Sequence, residues 1–425
     1  MMCNCAQKDV FEKSLFYSSP AHGGWGVLKI AQLVPESYQL FVSPAACGRH
    51  GALAACLDGR KSRVSYLYLK EENIVSGDYE QILIDAVHDI LEYLGKRNRT
   101  PKVLSIFVSC IDDLLGTDHE ALIDELSVFY PDMRFVFCHM NPTSTDTGVP
   151  PLVNVQNKNY SLLDRTNERD NGVNIIGTLE KIKENSELFT ILHQMGVSDI
   201  RHISYYHTFE EYNAMAKSRL NLVVAPSARY SAINMEKKHH MPHVEVFTSF
   251  SLKQIKDNYE RIAVALDTDC PDITEYEEQC REELAKTAQT LRNMPVIIDG
   301  EAILKPYELA RTLLENNINV VRIYEQQLLD CDKENFAWIM ENHPEVEFRQ
   351  PQNPKASFRE QYPGEPLAIG YSAAYLTYAP HVVDITTQHG LYGYQGLCDL
   401  LQMMCKAAGD ETDLKELLDT KVLVV

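Results

Sequence analysis

Short runs of apolar, β-rich residues alternate along this chain with longer stretches in which apolar positions recur every three or four residues. YQLFV (Tyr38–Val42), VSYLYL (Val64–Leu69), KVLSIFVS (Lys102–Ser109) and MRFVFC (Met133–Cys138) read as strands buried on both faces. Between them, Tyr79–Leu94 has helical spacing and ends at Gly95, a C-cap residue type, and His119–Phe129 repeats the pattern. Strand and helix in alternation predict a parallel α/β fold. Residues Asn141 to about Asp170 are polar and rich in Pro, Thr and Asn, which predicts a linker or long loop. A second round follows, with strands at Val173–Ile176, Asp199–Tyr205, Leu220–Ala225 and His243–Thr248. Its helices are Ser186–Met195, Phe209–Lys217 and Tyr230–His240. Residues Leu252 to Asn293 look helical and charged. A third round has strands at Met294–Ile298, Val320–Tyr324 and Pro366–Tyr371, and helices at Pro306–Leu314 and Tyr394–Ala408. The expectation is three α/β domains, at 1–170, 171–293 and 294–425.

Composition narrows the function. The 425 residues carry 60 Asp and Glu against 40 Lys and Arg, and the net charge of -20 argues against nucleic acid as the main partner. No apolar run reaches the roughly 20 residues that cross a bilayer. The start, MMCNCAQKDVFEKS, lacks the basic-then-apolar pattern of a signal peptide, so a cytoplasmic location is expected. Eleven cysteines in such a chain do not form a disulfide framework, and no CxxC occurs. Any metal site must gather cysteines far apart in sequence. Cys56, Cys138, Cys270, Cys280, Cys331, Cys398 and Cys405 read as packing residues.

Cys47 and Cys110 differ from the rest because each comes after a strand, Cys110 directly, where parallel sheets collect ligands. Thiolates there suit soft metals and iron–sulfur clusters. Two ligands are too few for a closed site, and a second subunit supplying the same pair completes four. Arg49 and His50 are placed to orient cluster sulfurs or donate protons, or else form a solvated first helical turn. Asp112, Asp113 and Asp118 resemble metal ligands in isolation but read as caps for the helix after Gly116. KKHHMPH (Lys237–His243) lacks standard zinc spacing and reads as a polar helix end, with His240 as the candidate substrate-facing proton donor. Gly390, Gly393 and Gly396 do not form a nucleotide loop, and no Walker A motif occurs.

Four stretches taken in order carry a resemblance: SPAACGRHG, VSCIDDLLGTDHEAL, LNLVVAPSARYSAINMEKKHHMP and GLYGYQGLCDLLQMM. Together they resemble the component 1 proteins of the nitrogenase superfamily, over nearly the whole chain. The resemblance implies three Rossmann-like domains with parallel sheets flanked by helices. It implies a homodimer, or a heterodimer with a paralogous chain, around a shared interface cluster, with an ATP-dependent Fe-protein-like reductase as electron donor. Cys47 and Cys110 match two interface-cluster cysteines, and a third would fall near Ser19–His22, where no Cys stands. Ser19 or His22 substitutes there, or each chain gives two ligands to one [4Fe-4S] cluster. Ala225 stands where catalytic alpha chains hold their metallocofactor by Cys, and His381 and His389 are not in register with its His ligand. No molybdenum–iron cofactor is therefore expected. The implied function is an anaerobic oxidoreductase subunit that passes low-potential electrons through the cluster to a small-molecule substrate bound between domains. The alternatives are a non-catalytic scaffold for cofactor assembly and a cluster-free ligand-binding protein of the same fold.

Overall fold

Thirteen parallel strands form three sheets in a computed structural model that describes residues 29–48, 55–56, 59–140, 149–351 and 359–421. The first sheet contains β1 (Ser37–Ser43), β2 (Val64–Tyr68), β3 (Val103–Val108) and β4 (Arg134–His139), in the order β2-β1-β3-β4. The second contains β5 (Val173–Ile176), β6 (Ile200–Arg201), β7 (Leu220–Val223) and β8 (His243–Glu245), in the order β6-β5-β7-β8. The third contains β9 (Val296–Asp299), β10 (Val320–Tyr324), β11 (Glu347–Arg349), β12 (Leu367–Ile369) and β13 (His381–Val383), in the order β11-β10-β9-β12-β13.

The first two sheets belong to one compact unit, made of the described residues up to Lys181 together with Val197–Glu245. The third belongs to another, made of Ile182–Gly196 and the chain from Val246 onward. The helices Leu252–Leu266 and Thr274–Leu291 lie in this second unit, with the third sheet.

Burial on both faces explains the continuous apolar runs of the first sheet. Leu40, Val42, Leu104, Ile106 and Val108 point into one core, against the helices Tyr79–Gly95 and His119–Phe129. Phe41 and Phe107 alternate with them, point the other way and stack at 4.8 Å in a second core.

Three expectations require correction. The stretch expected as a linker contains the helix Pro151–Ser161. Its polar residues hide the pattern, because Gln156 and Asn159 are buried beside Val155 and Tyr160, and Asn159 donates to the Ile30 carbonyl at 2.7 Å. The strand expected over Asp199–Tyr205 stops at Arg201, where a 3-10 turn begins with the His202 ring accepting from the Ser204 amide. Strand β13 and the helix Lys333–Asn342 were not foreseen, since three residues are too few to show a period and the helix buries only Phe336 and Ile339. Among the described residues, no helix is long and apolar enough to cross a membrane.

Candidate functional site

Each sheet has one place where neighbouring strands send their connections in opposite directions, and ligands bind outside the C-terminal strand ends there. These places lie between β1 and β3, between β5 and β7, and between β9 and β12. Cys47 and Cys110 both belong to the first. β1 and β3 pair in register with Val42 opposite Val108, so the two cysteines leave adjacent strand ends. Cys47 follows a turn begun by Pro44, whose carbonyl accepts from the Cys47 amide at 3.0 Å. Cys110 opens the helix Cys110–Leu115, closed by Gly116 in the left-handed region. The Cys110 side chain is exposed and that of Cys47 half-buried, and neither is in a disulfide.

Among the described residues, two hydroxyls at the same strand ends are buried with no hydrogen-bond partner. Ser43 ends β1 at 1% exposure and Ser109 follows β3 at 5%. Ser109 occupies the N-cap position of the Cys110 helix, where a serine ordinarily accepts from the helix amides, yet it makes no such bond. A buried polar atom left unpaired costs roughly 1–3 kcal/mol. Hydroxyl donors beside two thiols fit a sulfur-rich group, whose sulfurs accept hydrogen bonds. The residues present therefore fit an iron–sulfur cluster at this edge.

The acidic residues after Cys110 divide their roles. Asp118 caps the helix His119–Phe129, its carboxylate accepting from the Ala121 amide at 3.1 Å. Asp112 and Asp113 are not caps for that helix. They sit inside the Cys110 helix and meet histidines instead, Asp112 with His119 at 2.7 Å and Asp113 with His139 at 3.0 Å. Sequence reasoning missed these pairs because His139 ends β4, 26 residues away.

The other predicted residues lie elsewhere. Arg49, His50, Ser19 and His22 fall outside the described residues. His240 is exposed, in the left-handed region, as the C-cap of the helix Arg229–His239 that leads into β8. That is the N-terminal edge of the second sheet, away from its ligand-gathering edge. Ala225, at the switch point between β5 and β7, packs on Gly177, where an added Cβ would lie 2.8 Å from the Ala225 amide nitrogen. The His381 Nδ1 donates to the carbonyls of Ala407 and Asp410, each at 2.9 Å, which makes it a structural tie. Of the cysteines expected to pack, Cys138, Cys280 and Cys398 are buried, whereas Cys56 and Cys331 are exposed. Burial pushes the Cys138 thiol up to about 12, which keeps it protonated and inert.

At the switch point of the third sheet, Asp299 fills the edge. Its carboxylate accepts from the amides of Glu301 (2.9 Å) and Ala373 (3.2 Å). Burial, with repulsion from Glu301, raises it to about 7, and burial raises Glu325 to about 7 and Asp332 to about 6. In the other unit, burial lowers His202 to about 4, and burial with nearby Lys238, Arg169 and Arg165 does the same to His239. The two sets act oppositely. Carboxyls raised in the folded state take up protons before the unfolded chain does, so the third-sheet unit gains stability as pH falls from about 7 toward about 4. Histidines lowered in the folded state resist protons that the unfolded chain accepts near 6.5, so the other unit loses stability over the same fall. Each tenfold difference in proton affinity is worth about 1.4 kcal/mol. From pH 7.5 to 5, hydrogen exchange corrected for intrinsic rates is expected to slow in β9, β10 and β12 and to quicken in β5 and β7. A parallel change in both units would contradict this assignment.

The family described as "Nitrogenase component 1 type Oxidoreductase" matches residues 24–408. The chain is 22% identical over 249 residues to the nitrogenase iron-molybdenum cofactor biosynthesis protein NifE of Clostridium pasteurianum. That match covers 56% of this chain and 52% of NifE, so the chain spans about half the length of this relative. A solved structure of nitrogenase Cp1 at pH 6.5 superposes with a TM-score of 0.68 at 15% identity, covering 90% of this chain and 91% of that one. Nitrogenase Cp1 at pH 5 gives 0.57 at 13%, covering 95% and 89%. At these identities the structures establish a shared fold, and the family match over most of the chain establishes descent. The chain belongs to the nitrogenase component 1 type oxidoreductase family.

Proposed function

We propose that this chain is the cluster-holding, electron-accepting subunit of a nitrogenase-like reductase. The observation that supports it is the placement of Cys47 and Cys110 at adjacent C-terminal strand ends beside two unpaired serine hydroxyls. In this reading the two thiolates hold one [4Fe-4S] cluster together with the same pair from a second copy or a paralogous chain. When bound, such a cluster supplies one-electron transfer at low potential. Ser43 and Ser109 donate hydrogen bonds to its sulfurs and so tune its potential. Electrons come from an ATP-hydrolysing iron–sulfur partner in an anoxic cytoplasm. Ala225 offers no ligand atom, so the reading includes no molybdenum–iron cofactor there.

A second reading, an assembly scaffold, is favoured by the likeness to a relative whose name describes cofactor biosynthesis. Repeated reduction by dithionite and reoxidation by methyl viologen, followed by an iron assay, separates the two. A redox subunit keeps its iron through many cycles. A scaffold delivers iron to an added apo-protein of the same family, and that outcome would replace the first reading.

A further inference from the structure

Beyond the cysteines, the same edge of the first sheet carries a second set of metal-ligating side chains. We propose that Asp112, Asp113 and His139 form a mononuclear site for a first-row divalent metal ion, supported from behind by His119 and Tyr79. One ligand atom from each of the three lies within 4.8 Å of the others. Asp113 Oδ1 and His139 Nδ1 are 3.0 Å apart. That is about the separation of two neighbouring ligands each roughly 2.1 Å from one ion.

Charge argues the same way. Asp112 is 1% exposed, and among the described residues its ion-pair partner is His119, with no Lys or Arg. A buried carboxylate needs a compensating charge, and a bound cation supplies one.

The outer support is in place. The Tyr79 hydroxyl donates to Asp112 Oδ1 at 2.8 Å, and His119 Nε2 meets Asp112 Oδ2 at 2.7 Å. Each carboxylate oxygen has two acceptor sites, so these bonds orient Asp112 without exhausting it. The His119 ring is itself fixed by stacking on Phe137 at 4.3 Å. Hydrogen-bonded ligands of this kind are what a metal site requires around its first ring of atoms. The mixture of imidazole and carboxylate selects zinc, iron(II) or manganese over calcium or copper(I). The ion joins the end of β4 to the helix that presents Cys110.

The test uses cobalt(II) as the probe, titrated into the full-length Cys47→Ala, Cys110→Ala double variant, so that its result does not depend on the cluster reading. One cobalt per chain is expected, with visible d–d absorption and no thiolate-to-cobalt charge-transfer band. His139→Ala and Asp113→Ala should each weaken uptake at least about 100-fold, and Tyr79→Phe about tenfold. Should Asp113→Ala fail to fold by circular dichroism, His139→Gln at the partly exposed ring carries the test. Absence of saturable one-to-one uptake, a thiolate band, or an affinity unmoved by the His139 substitutions overturns the site.

Discussion

Cys47→Ala and Cys110→Ala, each purified without oxygen beside the parent chain, are expected to lose the iron and acid-labile sulfide that the parent carries. In a symmetric dimer each substitution removes two of roughly four thiolates at once, so the loss should be near complete rather than graded. The dithionite-reduced EPR signal should vanish with the iron. Folding should survive, because Cys110 is exposed and Cys47 only half-buried. Ser43→Ala and Ser109→Ala form the informative contrast. They remove hydrogen-bond donors and no ligand, so the iron should remain and the midpoint potential should fall. A colourless parent chain, or iron indifferent to both cysteine substitutions, would leave the fold of this family without its redox centre.

The second large effect is structural and concerns Glu187. This carboxylate is 4% exposed and accepts from the Tyr259 hydroxyl (2.7 Å) and from the Tyr394 and Gln395 amides. It thereby caps the helix Gly393–Gly409 from another segment of the same unit. Glu187→Ala strands three donors, two of them buried, at about 1–3 kcal/mol each, with partial relief from relaxation. A loss on the order of 4 kcal/mol is expected, or a fall in Tm of about 8–16 °C for a unit of this size. Burial raises the Glu187 carboxyl, so its neutral form is tolerated and Glu187→Gln should cost far less. An added Cβ at Gly393, whose φ is +69°, would lie 2.1 Å from Glu187 Oε1 and 2.5 Å from the Tyr259 hydroxyl. Gly393→Ala should therefore match the Glu187→Ala loss. A Tm for Glu187→Ala within about 2 °C of the parent would show that the cap is dispensable.

The same contact explains the GLYGYQG stretch. As sequence it is a set of glycines in no nucleotide-binding register. In the fold, Gly393 makes room for a carboxylate more than two hundred residues away, and Gly396 lets the helix approach Leu391, with an added Cβ 3.0 Å from the Leu391 carbonyl carbon. Neither reason is local, and a local pattern cannot display it.

What the sequence alone determined is what depends on neighbours along the chain. Period-two and period-3.6 patterns placed nearly all the strands of the first two sheets and most of the helices, because a strand buried on both faces or an amphipathic helix announces itself within its own length. The position of Cys47 and Cys110 after strands was legible for the same reason. The tertiary structure decided what depends on strand order. It set β1 beside β3, which brought two separate strand ends together, and it brought His139 to Asp113 and His119 to Asp112. Strand order follows from how sheets and helices bury their faces against one another, and that energy is shared among residues far apart in the chain. The Pro151–Ser161 helix is the sharpest instance: its buried amides look like loop residues until the Ile30 carbonyl is there to receive one of them.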